Sequence, residues 1–362
     1  MKTKYFALVI IVFASFYFSC SKDATPPNPT TTYLDLPATP YSYPVNSGGM
    51  LFNNNVGTLG RVLFYDSHLS VNNSISCATC HNQARAFSDN VNFSRGFENI
   101  LTGRNAPPIN NVSEFAPLFW DGREQFLNTM VLAPVVNHVE MGMSDINSIV
   151  SKLQALPYYN DLFIKAYGSS TVTSQNISQA LAVFVENIRS DKTKFDNFLN
   201  GQATLSGVEM QGKSLFFGKY NCNVCHQTDM PAPVGYGTPT GTTVRFVNIG
   251  LDANTTDNGR GNVTHDAADN GKFKIPSLKN VTLTAPYMHD GRFSTLEQVL
   301  DHYSHGIANH PNLDPKLKSV DGSPLQMNIS NEEKTAIIAF LNTLTDYSMI
   351  TDIRFSNPFK TH

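Results

Sequence analysis

Apolar positions along this chain recur mostly at helical spacing. Ile177, Leu181, Phe184, Val185 and Ile188 form one stripe with steps of three and four residues, which predicts a helix with one buried face. Polar residues mark where other helices start. Ser206 and Glu209 have the spacing of a capping box, in which each side chain satisfies an amide of the first turn. They open a segment ending near Phe217. Ser294 and Glu297 read as the same device for a helix whose apolar face holds Leu296, Val299, Leu300 and Tyr303. Ser330 and Glu333 open a last helix, with Ile337, Phe340, Leu341 and Leu344 inward. Sustained two-residue alternation is scarce, and stretches rich in Gly, Asn and Asp, such as 252–271, read as loops. The pattern predicts a mainly α protein with long loops.

Five cysteines change this picture, because four of them fall into two identical runs. Cys77-Ala78-Thr79-Cys80-His81 and Cys222-Asn223-Val224-Cys225-His226 both read Cys-x-x-Cys-His, the attachment signal of a c-type haem. The two thiols can form thioethers to the haem vinyl groups, and the histidine then points its imidazole at the iron. A structural zinc site made from the two cysteine pairs is the competing reading, but it leaves the histidine after both pairs as a coincidence. Two covalent haems on one chain imply a two-centre redox protein. One motif per half predicts two cytochrome c-like domains, roughly 41–205 and 206–350, although the halves are not a clean sequence repeat.

The fifth cysteine belongs to the N-terminus. Lys2 and Lys4 precede an apolar run from Phe6 to Phe18, which is shorter than a membrane span and suits a secretion signal. Ser19-Cys20 follows, so residues 1–19 read as a lipoprotein signal peptide, with lipid on the Cys20 sulfur. Tyr17 and Phe18 are bulkier than usual there, and plain secretion with Cys20 free is the alternative. Either way the protein is exported to the bacterial cell envelope, where the anchor would hold it facing the periplasm. Residues 20–40, rich in Thr and Pro, read as a flexible tether. Losing residues 1–19 takes the formal charge from -3 to -5, which gives no case for nucleic-acid binding.

Function depends on the sixth position of each iron, since two strong ligands favour electron transfer and an empty position admits oxygen chemistry. Between Asn82 and Asp121 there is no His, Met, Cys or Lys. The first candidates are Met130, His138, Met141 and Met143, so haem 1 is expected to be open. Haem 2 has Met230, Met288, His289, His302, Tyr303 and His305 downstream. By spacing alone, Tyr303 reads first as a core residue packed on Leu296 and Leu300, while His302 and His305 read as solvated or hydrogen-bonded.

Several runs together resemble the bacterial di-haem cytochrome c peroxidases, and within them the MauG-type enzymes. These are Leu59-Gly60-Arg61-Val62-Leu63-Phe64-Tyr65-Asp66, the first haem motif, Arg104-Asn105-Ala106-Pro107, Phe119-Trp120-Asp121-Gly122-Arg123 and Val139-Glu140-Met141. The second half adds its haem motif, Ile275-Pro276-Ser277-Leu278 and Ala285-Pro286-Tyr287-Met288-His289-Asp290-Gly291-Arg292. The resemblance implies a peroxidase that reduces hydrogen peroxide at haem 1 with electrons entering through haem 2. His81 and His226 would be the proximal ligands, Trp120 the relay between the haems and Glu140 the distal acid–base group. Asn105, with the backbone carbonyls of Thr284 and Pro286, would hold a calcium ion between the domains. A small periplasmic cytochrome c or cupredoxin would be the donor, and a homodimer is common among similar enzymes.

Departures from the family pattern sharpen the expectation. The histidine that often blocks haem 1 falls at Phe97, which cannot bind iron. The methionine that often ligates haem 2 falls at Tyr303, as in MauG-type enzymes, so a phenolate would lower that haem's potential. A distal glutamine is replaced by Met130. Two alternatives stand beside the peroxidase: a MauG-like oxidase that modifies residues of a partner protein, and a non-catalytic di-haem electron carrier.

Overall fold

The structure is a computed structural model that describes residues 32–44, 53–226 and 246–361. The expected signal peptide 1–19, Cys20, tether residues 20–31 and Met230 lie outside the described residues. Eleven α-helical segments are described: α1 (Asn54–Tyr65), α2 (Cys77–Cys80), α3 (Leu127–Met130), α4 (Ile146–Gln154), α5 (Pro157–Tyr167), α6 (Ser174–Glu186), α7 (Lys194–Leu199), α8 (Gly207–Ser214), α9 (Gly261–Thr264), α10 (Leu296–Asp301) and α11 (Asn331–Asn342). Strands are few among the described residues. β1 (Thr32–Leu34) pairs antiparallel with β4 (Phe359–Thr361), and β2 (Phe246–Val247) with β3 (Phe273–Lys274). The fold is therefore mainly helical, as the apolar spacing predicts. No helix among the described residues is long and apolar enough to cross a membrane.

The caps explain most helix boundaries. Ser206 and Glu209 form a reciprocal capping box on α8, and Ser330 and Glu333 do so on α11. The start of α10 differs by one residue from expectation. Thr295 is the N-cap and Gln298 its partner, because the extended backbone at Thr295 aims its hydroxyl at the Gln298 amide. A neutral Gln carbonyl thus does there what Glu297 was expected to do. Both α8 and α10 continue as a widened π-helical turn, Leu215–Lys219 and His302–Gly306. The second of these carries Tyr303. The stretch 252–271, read as loop, contains the single turn of α9.

The apolar faces collect into two main cores. The first is built on α1, α5 and α6, with Leu59, Leu63, Phe64, Tyr159, Phe163, Ile177, Leu181 and Phe184 buried together. The second joins Phe195 of α7, Phe216, Leu300 and the Ile337, Phe340, Leu341 and Leu344 face of the last helix. Burying one such side chain contributes about 1.5–3 kcal/mol, so these stripes dominate helix stability. Beneath α7, Lys279 donates to both oxygens of Asp196 at 2.7 Å, and both side chains are buried.

A shared plan emerges that the sequence conceals. In the first core α1 crosses α6 at Gly60, where an added Cβ would lie 1.9 Å from the Ala180 carbonyl oxygen and 2.8 Å from the Phe184 Cβ. In the second, α8 crosses α11 at Gly212, 1.8 Å from the Ala336 oxygen and 2.9 Å from the Phe340 Cβ. Each half thus brings the helix preceding its haem motif against its longest later helix by backbone contact. Asn111 and Asn280, both left-handed, match too. Their amides donate to Ile188 and Leu344, and their side-chain oxygens accept from Ser190 and Asp346.

The last residues do not stay with the second core. After α11 the chain returns over α1: Arg61 Nε donates to Ser356 O at 2.6 Å and Tyr65 OH to Phe355 O at 2.6 Å. Residues 32–34, read from composition as tether, are held there by β4.

Candidate active site

The first haem motif is shaped before any cofactor is considered. Ser76 and Thr79 close the short turn of α2, and the His81 amide donates to Cys77 O at 2.9 Å. His81 Nδ1 lies 2.9 Å from the Phe87 carbonyl, so Nδ1 carries the proton and Nε2 is left for a metal. Burial keeps the imidazole neutral by pushing its pKa below the usual value. Burial also pushes Cys77 up to about 12 and Cys80 up to about 11. Reactive or metal-binding thiolates need the opposite shift, from a nearby cation or helix terminus. The two half-buried thiols stay protonated beside a neutral imidazole, a set that suits thioether attachment to a haem.

The second motif repeats the arrangement on a three-residue turn, Cys222–Val224. His226 N donates to Cys222 O at 3.1 Å, and Nδ1 lies 3.3 Å from Pro276 O. Burial lowers His226 to about 4 and raises Cys222 to about 12. Tyr303 is brought to this motif: burial, then the proximity of Cys222 and Cys225, raise its phenol well above the usual range. A phenolate at that position needs a cationic partner to be stable, and a ferric iron would be one. His302 is buried and its Nε2 meets Ile249 O at 3.0 Å, whereas His305 is exposed.

Glu140 lies close to the first motif. Its charge is felt at both Cys77 and Cys80, which places the carboxylate near those thiols. Burial raises its pKa, and the Arg123 guanidinium pulls the other way. Asn137 Nδ2 donates to Oε1 at 2.9 Å. Phe97 lies alongside: its amide donates to Glu140 O at 2.8 Å, and its ring packs under Gly142. Trp120 bridges the halves, with Nε1 donating to Asn105 O at 2.8 Å and its carbonyl accepting from Lys274 N at 2.7 Å. Asn105 is buried, and its amide donates to His289 O at 2.8 Å, which sets it against the loop carrying Thr284 and Pro286.

The sequence model of the di-haem cytochrome c peroxidases matches residues 54–204. The methylamine utilization protein MauG of Methylorubrum extorquens is 36% identical over 290 residues, 79% of this chain and 77% of its own. The cytochrome c551 peroxidase of Nitrosomonas europaea is 34% identical over 299 residues, 81% and 80% of the two chains. Among solved structures, a MauG-like protein associated with microbial copper homeostasis superposes with a TM-score of 0.75 at 35% identity, covering 85% of this chain and 94% of that one. The chain belongs to the di-haem cytochrome c peroxidase family.

As a member of that family it is an oxidoreductase of the cytochrome-c peroxidase type, and membership implies two c-type haems. The two thiol pairs and the unused Nε2 atoms of His81 and His226 fit them. Residues beyond the sequence candidates, together with His289 from among them, also shape this region. Arg104 pairs with Asp121 at 2.6 Å and with Asp257 at 2.7 Å, tying the Trp120 loop to the second half. Arg260 Nη1 reaches the Asp121 and Gly122 carbonyls at 3.1 and 2.9 Å. His289 stacks on Phe273 at 3.7 Å. Asn137 meets Glu140 within a local turn, and Arg123 influences it only through the fold. Arg104 and Arg123 stand inside the family runs, which was the available signal; Asn137 carried none.

Proposed function

We propose that this enzyme reduces hydrogen peroxide at an open first haem, with electrons delivered through the second. The observation that carries the reading is Glu140: a half-buried carboxylate close to the first thiol pair, with the Phe97 ring alongside. A haem held by Cys77, Cys80 and His81 would supply a redox-active iron and the electrons for O–O cleavage. Glu140 would take the proton from one peroxide oxygen and return it to the other, which leaves as water. Asn137 holds Oε1 and leaves Oε2 to the substrate, while Arg123 keeps enough of the carboxylate ionised to act as a base. Overall, one peroxide, two electrons and two protons give two waters.

Trp120 is positioned by Asn105 and Lys274 to relay electrons between the haems, and Tyr303 as phenolate would favour oxidised iron at the second. The two cores are read as two cytochrome c-like domains, 41–205 and 206–350, with α7 packed into the second core and the tail into the first. A calcium ion on Asn105 and the Thr284 and Pro286 carbonyls would brace the interface. Export, a lipid on Cys20, a small cytochrome c or cupredoxin as donor, and a homodimer complete the proposal.

Peroxide turnover with reduced cytochrome c tests it. Catalytic oxidation of the donor is expected; none, with both haems intact, contradicts it. Phe97 and Tyr303 also favour a second reading, oxidation of residues in a partner protein. Slow donor turnover with efficient oxidation of a protein tyrosine or tryptophan would select that reading.

A further inference from the structure

We propose that Phe355, in the C-terminal tail, is a positioning residue for His81, the proximal ligand of the first haem. The hydrogen bond from His81 Nδ1 ends on the Phe87 carbonyl. That carbonyl is aimed by an unusual backbone: Ala86 at φ +52° and Phe87 at φ +59° are successive left-handed residues, and neither is glycine. Each costs about 1–2 kcal/mol, and such a conformation persists only where its surroundings over-determine it.

The surroundings come from three places. Within the loop, Phe87 N donates to Asn82 O at 2.8 Å, and Asn82 N to Ser88 O at 3.1 Å. From α1, Phe64 meets the fully buried Phe87 ring edge-on, with centroids 6.0 Å apart. From the tail, Phe355 meets the same ring at 6.2 Å and 82°. The tail grips this loop a second time, because Gln83 Nε2 donates to Met349 O at 3.1 Å and to Asp352 O at 2.8 Å. It is itself pinned to α1 through Arg61 and Tyr65. A segment from the far end of the chain thus closes the cage around the carbonyl that orients the imidazole. A hydrogen bond of this kind fixes ring orientation and raises ligand basicity, so loosening it weakens the iron–imidazole bond.

The inference rests on the reading of haem 1 as the open centre, and its test separates the two. In the ferrous protein only a five-coordinate haem gives an iron–histidine stretching band in resonance Raman, so that band reports haem 1. Phe355→Ala is expected to shift the band to lower frequency and raise the haem 1 midpoint potential, with haem 2 unchanged. Phe355→Leu should fall between it and the wild type. Gln83→Ala, at a half-buried position, should shift both readouts in the same direction and serves if the core variants do not retain haem. A band absent from the wild type would sink the open-site reading, while the haem 1 potential would still decide the positioning role. An unchanged potential in Gln83→Ala and in whichever Phe355 variants retain haem would overturn the inference.

Discussion

At the scale of single residues, the chemistry turns on two half-buried acids, each needed in its ionised form although burial favours the neutral one. Glu140 must be ionised to take a proton, yet burial raises its pKa. Peroxide cleavage should therefore fall as pH drops through that raised value, at a higher pH than a surface glutamate would give. Arg123→Ala removes the cation that opposes the shift, so the acid limb should move to still higher pH in stopped-flow measurements. Glu140→Gln should remove the limb and slow cleavage by about 10²–10⁴-fold with both haems retained; unchanged cleavage would reject the acid–base role. Tyr303 is the same case carried further, a phenol that burial alone keeps protonated. If iron holds it as phenolate, Tyr303→Met should raise the haem 2 potential and change its low-spin spectrum. An unaltered spectrum would remove Tyr303 from the coordination sphere.

At the scale of elements, stability rests on close backbone approach and on one buried ion pair. Gly60→Ala and Gly212→Ala place a methyl within 2 Å of a carbonyl oxygen that cannot swing aside. Each should cost at least about 3 kcal/mol, at or above the upper end for overpacking, read as a lowered urea midpoint. Asp196→Asn strands Lys279 as an unpaired buried cation and should cost about 3–5 kcal/mol in the same assay. Elements of this kind differ in how far the sequence reveals them. Ser206 and Ser330 are legible as caps because their partners lie three residues away. Thr295 is missed by one residue because Ser294 and Glu297 mimic the same spacing. The Gly60 and Gly212 crossings leave no local signature, since what matters is a carbonyl on another helix. Glu140 follows the same rule. A lone glutamate says nothing until Asn137, Arg123 and Phe97 gather around it, and only family resemblance singled it out.

At the scale of the whole molecule, the two halves are joined by the Trp120 loop and by the returning tail. Neither is legible from local pattern, because β1 and β4 sit at opposite ends of the described chain and the Arg104 pairs span both halves. Trp120 contacts both halves of this junction, its ring nitrogen donating to Asn105 O and its carbonyl accepting from Lys274 N. Trp120→Phe should leave both haem environments intact while slowing the peroxide-driven spectral change at haem 2. An unchanged rate would assign the relay elsewhere. The account as a whole requires two unlike irons, and the electron paramagnetic resonance spectrum of the resting oxidised protein tests this most directly. It should contain a high-spin ferric signal from the iron on His81 beside a low-spin signal from the iron on His226. Two low-spin signals with no high-spin component would contradict it.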